Sequence, residues 1–381
     1  MVDSTTTQDK TIIVAHNTAR YLLMHYRQLL IDLTEQYDKV ICVTPIDGHQ
    51  QSFAELGIEH RSIAMQQHGM NPLVELRLLK QFYKLYKTEK PEHVLHFSIK
   101  PCLYGGMAAR LAKVAKVGYM VTGLGYVFLT QSVKVAIIRK VVVAIYTAIL
   151  RNKDAIFFQN KDDAALFSDL GITRQVQQFI LPGTGIDTKE FSSSKALPEI
   201  SESQPLRFLF IGRMLRDKGL YELINACKQL DEKGLKFECE LLGPIDSNPS
   251  AIQLAEIQQW EQQGLIKYSG EVSDVIPFIE ASHVFVLPSY REGLPRSALE
   301  AMAIGRAIIA TDVPGCREVV KDSSNGCLVK VKDANSLAQA MEKCLSRPDL
   351  VSQFGEQSKQ ICQKSFTVEK VSDIVLGAML N

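Results

Sequence analysis

Short apolar runs alternate with helix-length amphipathic segments along the first half of the chain. The runs that predict buried strands lie at residues 11–15, 40–44, 94–97, 117–121, 155–158 and 176–181. The segments that predict helices between them include residues 20–36, 72–86 and 161–170. Continuous apolar strands that alternate with helices are typical of a parallel sheet covered on both faces.

The same alternation restarts after a Ser-, Lys- and Pro-rich stretch, residues 191–205, which we interpret as an interdomain linker. Second-half strands are predicted at 207–211, 237–242, 266–269, 284–287, 307–311 and 327–331, and helices at 219–232, 251–263, 295–304 and 336–345. The pattern predicts two Rossmann-like, doubly wound α/β domains, residues 1–190 and 206–366, facing across a ligand cleft. The sequence leaves open whether the final helix, 367–381, packs back on the first domain.

Length and composition agree with this organisation. At 381 residues the chain exceeds what one ordinary core accommodates. Hydrophobic residues make up 46% and charged residues 22%, the balance of a soluble globular protein. The eight cysteines form no Cys-x-x-Cys pair, so we expect reduced, mostly buried thiols in a cytoplasmic protein. The first ten residues are polar and predict no secretory signal.

Charge is divided unevenly along the chain. The net charge is +1 overall, but residues 1–190 carry +5 and residues 191–381 carry −4. Between His93 and Lys153 there are nine basic residues and no acidic one. Such a local field attracts small anions or an anionic membrane surface. We expect no nucleic-acid partner.

A basic turn, residues 212–219, follows one predicted strand and opens a helix. Gly212 permits a tight turn at the strand end. Arg213 is able to hold phosphate oxygens with a bidentate fork, and Lys218 adds a point charge. The turn predicts a diphosphate site, although a surface loop with solvated basic side chains explains this segment equally well by itself.

A second segment, residues 289–300, follows the apolar strand at 284–287. Pro295 suits the first helical position, where its missing N–H would have no partner anyway. The free N–H groups that follow, together with the helix dipole, form an anion site suited to a diphosphate. The candidate donor-binding residues of this segment are Gly293, Leu294, Pro295, Arg296 and Ser297.

Two glutamates complete this segment. Glu292 precedes the helix, and Glu300 lies one to two turns into it. A carboxylate buried beside an apolar strand costs free energy unless it is paired, and hydroxyls of a hexose or a ribose are suitable partners. The alternative is an ordinary helix with solvent-facing acidic positions, which the combination of strand, loop, proline and spacing disfavours.

These residues resemble a known enzyme family. Glu292 and Glu300 match the E-x7-E motif of the retaining glycosyltransferases of family 4, which have the GT-B fold, and Arg213 and Lys218 match its diphosphate-binding pair. The resemblance extends to residues 185–187 and 311–318 and covers nearly the whole chain. It implies that Glu292 faces the donor sugar and Glu300 the ribose, that Arg213 and Lys218 stabilise the leaving diphosphate, and that no metal or other cofactor is required.

Two first-half motifs, residues 96–101 and 122–128, are similar to a subgroup of this family. Its members are N-acetylhexosaminyltransferases that extend polyprenyl-pyrophosphate-linked saccharides in bacterial surface glycan or glycoprotein synthesis. The resemblance implies a UDP-sugar donor and a lipid-linked acceptor, at the inner face of the cell membrane. Many family members carry a histidine where this chain has Gly123, so the chain departs from the family pattern at this position.

Several first-half residues are candidates for acceptor binding, each with a plain alternative. Lys100 lies close to a strand end and suits a pyrophosphate, but a solvated lysine before proline is equally consistent. Gly123 and Gly125 permit close backbone approach of a substrate. Asn17 and Thr18 start the first helix and suit a phosphate, but either also serves as a simple N-cap.

The segment 133–150 is strongly apolar but is interrupted by Lys134, Arg139 and Lys140. A spanning helix needs about 20 mostly uncharged residues, so we do not expect a transmembrane segment. A core helix with solvated cations and a helix in contact with an anionic membrane both remain open, and the acid-free surroundings favour the second.

Two other functions remain possible for the same site. An epimerase with the same fold would release nucleotide from a UDP-sugar without a lipid acceptor, and a non-catalytic module would bind UDP without turnover. The intact set of Arg213, Lys218 and Glu292 argues against the binding module. A dinucleotide dehydrogenase is disfavoured because no Gly-x-Gly-x-x-Gly follows the first strand.

Overall fold

In a computed structural model of the chain, the apolar runs of the first half form a parallel sheet. The structure describes residues 10–66, 71–124, 127–128, 132–193, 195–201, 204–246, 248 and 250–381. Within these residues the first sheet has seven strands in the order β3-β2-β1-β4-β5-β6-β7. The strands are β1 (Thr11–Ala15), β2 (Lys39–Thr44), β3 (Glu59–Ser62), β4 (His93–Phe97), β5 (Lys116–Val121), β6 (Ala155–Phe158) and β7 (Gln177–Ile180). All but β3 coincide with predicted runs; β3 is a polar edge strand and carries no apolar signal.

The helices around this sheet include the predicted segments, one of them broken in two, and three short elements that were not predicted. They are α1 (Ala19–His25), α2 (Arg27–Gln36), α3 (Gln51–Ala54), α4 (Pro72–Glu89), a π-helix (Pro101–Gly105), α5 (Gly106–Ala112), α6 (Val133–Ile149) and α7 (Lys161–Asp169). The single helix predicted at 20–36 is two helices, because Tyr26 leaves helical geometry with φ −131° and ψ 23°. Its buried ring packs on Phe97 at 4.7 Å between centroids.

The second half builds a second parallel sheet of six strands among the described residues, in the order β10-β9-β8-β11-β12-β13. Its strands are β8 (Leu206–Ile211), β9 (Phe237–Leu242), β10 (Lys267–Gly270), β11 (Val284–Leu287), β12 (Ala307–Thr311) and β13 (Gly326–Val329). Its helices are α8 (Leu220–Glu232), α9 (Leu254–Gln262), α10 (Ile276–Ala281), α11 (Arg296–Ala303), α12 (Cys316–Val319), α13 (Ala334–Ser346) and α14 (Pro348–Ser365). A 3-10 turn, Arg216–Lys218, precedes α8. The predicted α/β class is confirmed.

The stretch interpreted as a linker packs on the second half instead. The chain divides into two compact units, one running to Thr184 and completed by Val368–Asn381, the other Gly185–Thr367. Ile186 and Phe191 are buried in the core of the second unit. Ser193 donates its hydroxyl to Glu280 over 2.6 Å. These contacts place the boundary six residues before the predicted one.

The last helix, α15 (Val368–Leu380), belongs to the first unit, which answers the question that the sequence left open. It packs against α2 and β5. Val371, Val375 and Met379 are buried in the same core as the inner face of α2. All eight cysteines are buried and free, as expected for structural thiols.

Candidate active site

The two segments with candidate chemistry lie side by side at the carboxyl edge of the second sheet. β8 and β11 are hydrogen-bonded neighbours, although β9 and β10 come between them in the chain. The turn 212–219 leaves β8, and the loop 289–295 leaves β11. The strand order reverses between these two strands, which is where doubly wound sheets bind their ligands.

Backbone packing holds the turn against the loop. Gly219 has φ 73°, and a Cβ atom there would lie 2.0 Å from the carbonyl oxygen of Pro288. The N–H of Tyr290 donates to the carbonyl of Asp217 over 2.8 Å. Position 219 therefore requires glycine, because any side chain would overlap with the residue that follows β11.

A third loop, which follows β12, packs against the loop 289–295. Gly315 has φ 79°, and a Cβ atom there would lie 2.5 Å from the carbonyl oxygen of Gly293 and 2.8 Å from that of Glu292. Residues 311–318 were noted only for a family resemblance, so this contact of Gly315 was not predicted. The adjacent Pro314 and Gly315 were the signal for a turn.

Gly212 fills the position expected of a tight strand-end turn. Its N–H donates to the carbonyl of Leu242 over 2.9 Å. Gly243, with φ 135°, approaches so closely that a Cβ atom there would lie 2.0 Å from the carbonyl oxygen of Gly212. The ends of β8 and β9 are thus in direct backbone contact. This contact fixes the position of the backbone of the next residue, Arg213.

Lys218 and Glu292 form an ion pair across the two segments. The distance from Lys218 Nζ to Glu292 Oε1 is 2.5 Å, and the side chains are 21% and 13% exposed. The structure therefore brings together a cation predicted to bind diphosphate and a carboxylate predicted to bind sugar. The two side chains are largely desolvated, and each neutralises the charge of the other at this edge of the sheet.

Arg213 lies at the rim of the same site. Its guanidinium contacts Asp246 at 2.7 Å, and its side chain is 57% exposed. An exposed pair of this kind contributes only about 0–1 kcal/mol, so a phosphate is able to replace the carboxylate at little cost. Asp246, in the segment after β9, was not singled out from the sequence.

Tyr290 links the loop to α8. Its hydroxyl donates to both carboxylate oxygens of Glu222, at 2.9 and 3.0 Å. The ammonium group of Lys332 lies 4.8 Å from the centre of the Tyr290 ring. Burial, together with the Glu222 charge, raises the pKa of Tyr290 to about 12. The tyrosine is thus a neutral donor that orients the loop carrying Glu292.

Arg296 holds Glu300 in place. Arg296 Nε lies 3.0 Å from Glu300 Oε1, one helical turn away. The same guanidinium donates to the carbonyl of Gly185 over 3.2 Å and lies 5.9 Å from the Phe191 ring. Burial raises the pKa of Glu300 to about 6, although Arg296 opposes this shift. Arg296, predicted to bind the donor, therefore orients Glu300 and the residues around Gly185.

The helix after Glu292 begins one residue later than predicted. α11 starts at Arg296, and Pro295 occupies the N-cap position with φ −76° and ψ 108°. Proline offers no capping side chain, so among the described residues the first-turn N–H groups of Ser297 and Ala298 receive no cap. Leu294 packs on the core and anchors the loop. This helix start remains suited to an anion.

In the first unit, the start of α1 is capped rather than open. Thr18 accepts a hydrogen bond from the N–H of Tyr21 over 3.2 Å, as an N-cap does. The carboxylate of Asp47 accepts the next two N–H groups, those of Ala19 and Arg20, at 2.7 and 3.1 Å. The simple N-cap interpretation of Thr18 is therefore correct, and a phosphate at this helix start would compete with Asp47. Neighbouring Asn17 is half-buried.

Lys100 is not a solvated lysine. Its ammonium group contacts Glu75 Oε1 at 2.5 Å, and the side chains are 12% and 6% exposed. The partner lies in the first turn of α4 and was not predicted. The charge of Lys100 is thus compensated within the protein, which removes much of its attraction for a pyrophosphate.

The turn after β5 carries the remaining acceptor candidates. Gly123 has φ 159°, and among the described residues a Cβ atom there would meet nothing within 4 Å. The expected close approach of a substrate at Gly123 stays a prediction. Gly125 lies outside the described residues.

The basic residues of α6 differ from one another. Arg139 donates from Nε to the carbonyl of Val127 over 2.9 Å, so its side chain supports the fold locally. Lys140 is exposed, and the side chain of Lys134 lies outside what the structure describes. Around Lys140 the outer face of the helix is apolar: Val133, Ile137 and Val141 are 81%, 61% and 53% exposed. None of the described helices has the length and apolarity needed to cross a membrane.

Comparison with known proteins assigns the family. The family model for glycosyl transferases group 1 matches residues 195–361, and the model for glycosyl transferase 4-like proteins matches residues 12–160. The chain is 27% identical to the N,N'-diacetylbacillosaminyl-diphospho-undecaprenol alpha-1,3-N-acetylgalactosaminyltransferase of Campylobacter jejuni, over 89% of this chain and 90% of that protein. The chain is a glycosyltransferase, and its second half matches group 1.

Solved structures place this glycosyltransferase in the GT-B fold. A glycosyltransferase from Rickettsia africae is 18% identical and superimposes with a TM-score of 0.77 over 98% of both chains. Anabaena Alr3699/HepE in complex with UDP is 15% identical and superimposes with a TM-score of 0.76, over 97% of this chain and 99% of that one. The predicted fold is confirmed, and the expected resemblance to lipid-linked sugar transferases is confirmed by the Campylobacter relative.

The glycosyltransferase site also contains residues that sequence reasoning missed, namely Glu222, Asp246, Tyr290 and Gly315. Each acts through a tertiary contact, and only Gly315 carried a local signal. In the described part of the chain, no group of three or more His, Cys, Asp or Glu side chains is placed to hold a metal ion.

Proposed function

We propose that the enzyme transfers an N-acetylhexosamine, with retention of configuration, from a UDP-sugar to a polyprenyl-pyrophosphate-linked saccharide. One observation carries the donor half of this proposal. The Lys218–Glu292 pair lies at the strand-order reversal of the second sheet, beside Arg213 and the start of α11. Two cations and uncapped N–H groups at one edge suit a diphosphate, and the adjacent carboxylate suits sugar hydroxyls.

Each residue then has a role in the transfer. Arg213 exchanges Asp246 for a phosphate oxygen, and Lys218 turns from Glu292 towards the diphosphate as the glycosidic bond breaks. The freed Glu292 carboxylate accepts a hydrogen bond from the donor sugar. The N–H groups at the start of α11 add to the stabilisation of the leaving nucleoside diphosphate. We propose that the acceptor hydroxyl oxygen bonds to the anomeric carbon on the face that the diphosphate leaves, and that its proton passes to the leaving diphosphate oxygen. The enzyme contributes positioning and charge stabilisation, without an enzyme nucleophile or a metal.

The acceptor half rests on similarity. The Campylobacter relative is named for transfer of N-acetylgalactosamine to a diphospho-undecaprenol-linked sugar, and the match extends over nearly all of both chains. It therefore supports an acceptor of the same chemical class for this enzyme. The acid-free stretch of nine basic residues in the first unit suits the inner face of an anionic membrane, where such an acceptor is anchored.

A panel assay tests the proposal. The purified enzyme is incubated with UDP-linked hexoses and N-acetylhexosamines and with farnesyl-pyrophosphate-linked saccharides, and products are detected by mass. We expect at least one acceptor to gain one N-acetylhexosamine, with the α-anomeric configuration of the donor in the product by NMR. Addition of EDTA should leave the rate unchanged. Epimerised nucleotide sugar without an extended acceptor would favour the epimerase, and UDP binding without any product would favour the binding module.

The ionisation of Glu300 predicts a pH dependence of donor affinity. Its pKa is raised to about 6 by burial, so the carboxyl group is increasingly protonated as the pH falls below that value. A protonated carboxyl accepts ribose hydrogen bonds more weakly than a carboxylate. The affinity for a UDP-sugar should therefore rise between pH 5 and pH 7, by about three- to ten-fold.

A UDP-sugar is the right probe, because its diphosphate does not titrate in this range, whereas free UDP does. Titration calorimetry across the pH series should show the rise in the wild type and a flat profile in Glu300→Gln. An equal rise in both proteins would assign the effect to another group.

The outer face of α6 predicts how the enzyme meets the membrane. Val133, Ile137 and Val141 are exposed together, and Lys140 lies among them. A helix with an apolar face and basic residues lies in the interface of an anionic bilayer, and each basic group near the surface adds about 1 kcal/mol. We expect the protein to sediment with phosphatidylglycerol vesicles at low salt and to be released in part at high salt.

Two exposed substitutions separate docking from catalysis. Ile137→Ser with Val141→Ser should reduce sedimentation and turnover on the undecaprenyl acceptor, but spare turnover on a farnesyl acceptor. Leu111→Ser is the control, because Leu111 is also 61% exposed but lies on α5. Substitution of Arg139 is less informative, since its side chain holds Val127. Unchanged sedimentation of the double variant would show that α6 is not the docking surface.

A further inference from the structure

The turn after β4 has a backbone conformation that its sequence does not favour. Ser98 has φ 64°, in the left-handed region that residues other than glycine rarely adopt. The next element is the π-helix Pro101–Gly105, a rare form found mostly at functional sites. The N–H of Cys102 donates to the carbonyl of Ser98 over 3.1 Å and ties the two features together. Such strain persists where the surrounding structure holds it for a purpose.

Polar groups in this turn, and on the helix start that pairs with it through Lys100, have incomplete hydrogen bonding. Glu75 is buried, and only its Oε1 meets Lys100, at 2.5 Å. Among the described residues, neither Glu75 Oε2 nor the buried Ser98 Oγ has a hydrogen-bond partner. Buried polar atoms are nearly always satisfied, so one unpartnered atom in the strained turn and another on the carboxylate that pairs with Lys100 indicate that an additional group completes them.

This turn lies where the first sheet would bind a ligand. β4 pairs with β1, although β2 and β3 come between them in the chain, so the strand order reverses at this pair. The turn leaves the carboxyl end of β4, at the ligand-binding edge of the sheet. All of its residues belong to the first unit, separate from the diphosphate residues of the second.

The charges select the kind of group that fits. Lys100 and Glu75 compensate each other, so the turn presents no net charge for a phosphate. Glu75 Oε2 requires a donor, and Ser98 Oγ both donates and accepts. A saccharide that carries hydroxyl and acetamido groups offers a donor for the carboxylate and a partner for the hydroxyl.

We propose that Glu75 and Ser98, with Lys100 fixing the carboxylate, bind a hydroxyl or acetamido group of the acceptor saccharide. This inference rests on the proposed function, because it takes the acceptor to be a saccharide. It assigns acceptor recognition to Glu75, and it replaces the earlier expectation that Lys100 meets the pyrophosphate. The site distinguishes acceptors by their sugar rather than by their lipid diphosphate.

Steady-state kinetics of two variants test this site. Glu75→Gln keeps the volume but removes the charged acceptor, and Ser98→Gly removes the hydroxyl at a φ that favours glycine. With farnesyl-pyrophosphate-linked N-acetylglucosamine or diacetylbacillosamine as acceptor, we expect KM to rise by about ten-fold or more in Glu75→Gln. The rise in Ser98→Gly should be smaller. Inhibition by farnesyl pyrophosphate, which lacks the sugar, should be unchanged.

Glu89→Gln provides the matched control. Glu89 lies on the same helix, at its opposite end, and pairs with Lys39 and Arg61 at 3.0 Å each. It should change acceptor KM by less than about two-fold, as expected for a change remote from the site. UDP affinity and melting temperature, measured without acceptor, show whether a variant has lost the donor site or the fold.

Three results would overturn the inference. The first is an acceptor KM in Glu75→Gln within two-fold of wild type. The second is an equal weakening of farnesyl pyrophosphate, which would make this a phosphate site. The third is a loss of UDP affinity that accompanies the rise in acceptor KM in both Glu75→Gln and Ser98→Gly. A wild type that extends no acceptor would instead refute the proposed function.

Discussion

Replacing Lys218 by alanine should nearly abolish turnover and weaken UDP binding about ten- to hundred-fold. The expected loss corresponds to a charge-assisted contact of about 1.5–3 kcal/mol with the diphosphate. Arg213→Ala should have the same direction but a smaller effect, because Arg213 is 57% exposed and its present partner is at the surface. Titration calorimetry with UDP and single-turnover rates measure the two effects.

Lys218→Ala also leaves the buried Glu292 without its cation, so its melting temperature must be recorded. Lys267→Ala is the matched control. Lys267 lies on β10, outside the site, and pairs with Glu240 at 2.8 Å. It should keep wild-type affinity and rate. Wild-type UDP affinity in both Lys218→Ala and Arg213→Ala would remove the diphosphate clamp from this account.

The two glutamates should fail in different ways. Glu292→Gln should reduce transfer by at least about a hundred-fold, since its partner is the reacting sugar and an interaction made in the transition state affects kcat. UDP affinity should change little, and release of Lys218 from its ion pair should even favour the diphosphate. Glu300→Gln should weaken UDP itself about ten-fold, because its proposed partner is the ribose.

Paired calorimetry and kinetics distinguish these outcomes. Glu238→Gln is a suitable control, because Glu238 is exposed on β9 and pairs only with the exposed Arg207 among the described residues. The reverse pattern, with UDP weakened by Glu292→Gln and transfer alone reduced by Glu300→Gln, would show that the roles of the two glutamates are exchanged.

The arrangement of Lys218 and Glu292 was within reach of the sequence because both lie in short segments that follow buried strands. Apolar runs locate β8 and β11, and the carboxyl ends of neighbouring parallel strands meet at one edge. Pro295 located the helix start to within one residue. Local patterns of this kind also predicted the two parallel sheets, apart from the polar edge strand β3.

Tertiary pairing accounts for most of what the sequence did not reveal. Carboxylates from distant segments make three of these contacts: Asp246 pairs with Arg213, Asp47 accepts N–H groups at the start of α1, and Glu75 pairs with Lys100. A single sequence gives no signal for such partners, and each changes what its cation or helix end is free to bind. The stretch 191–205 has the composition of a linker, but Ser193 and its neighbours find partners on the second unit.

The ratio of UDP released to acceptor extended shows whether the enzyme is a UDP-sugar transferase. UDP and the extended farnesyl-pyrophosphate saccharide are quantified in the same reaction, with and without acceptor. A UDP-sugar transferase predicts one UDP for each extended acceptor, and almost no UDP when the acceptor is omitted. UDP release that does not depend on acceptor, or an acceptor that remains unextended while the nucleotide sugar is consumed, would show that the enzyme is not such a transferase.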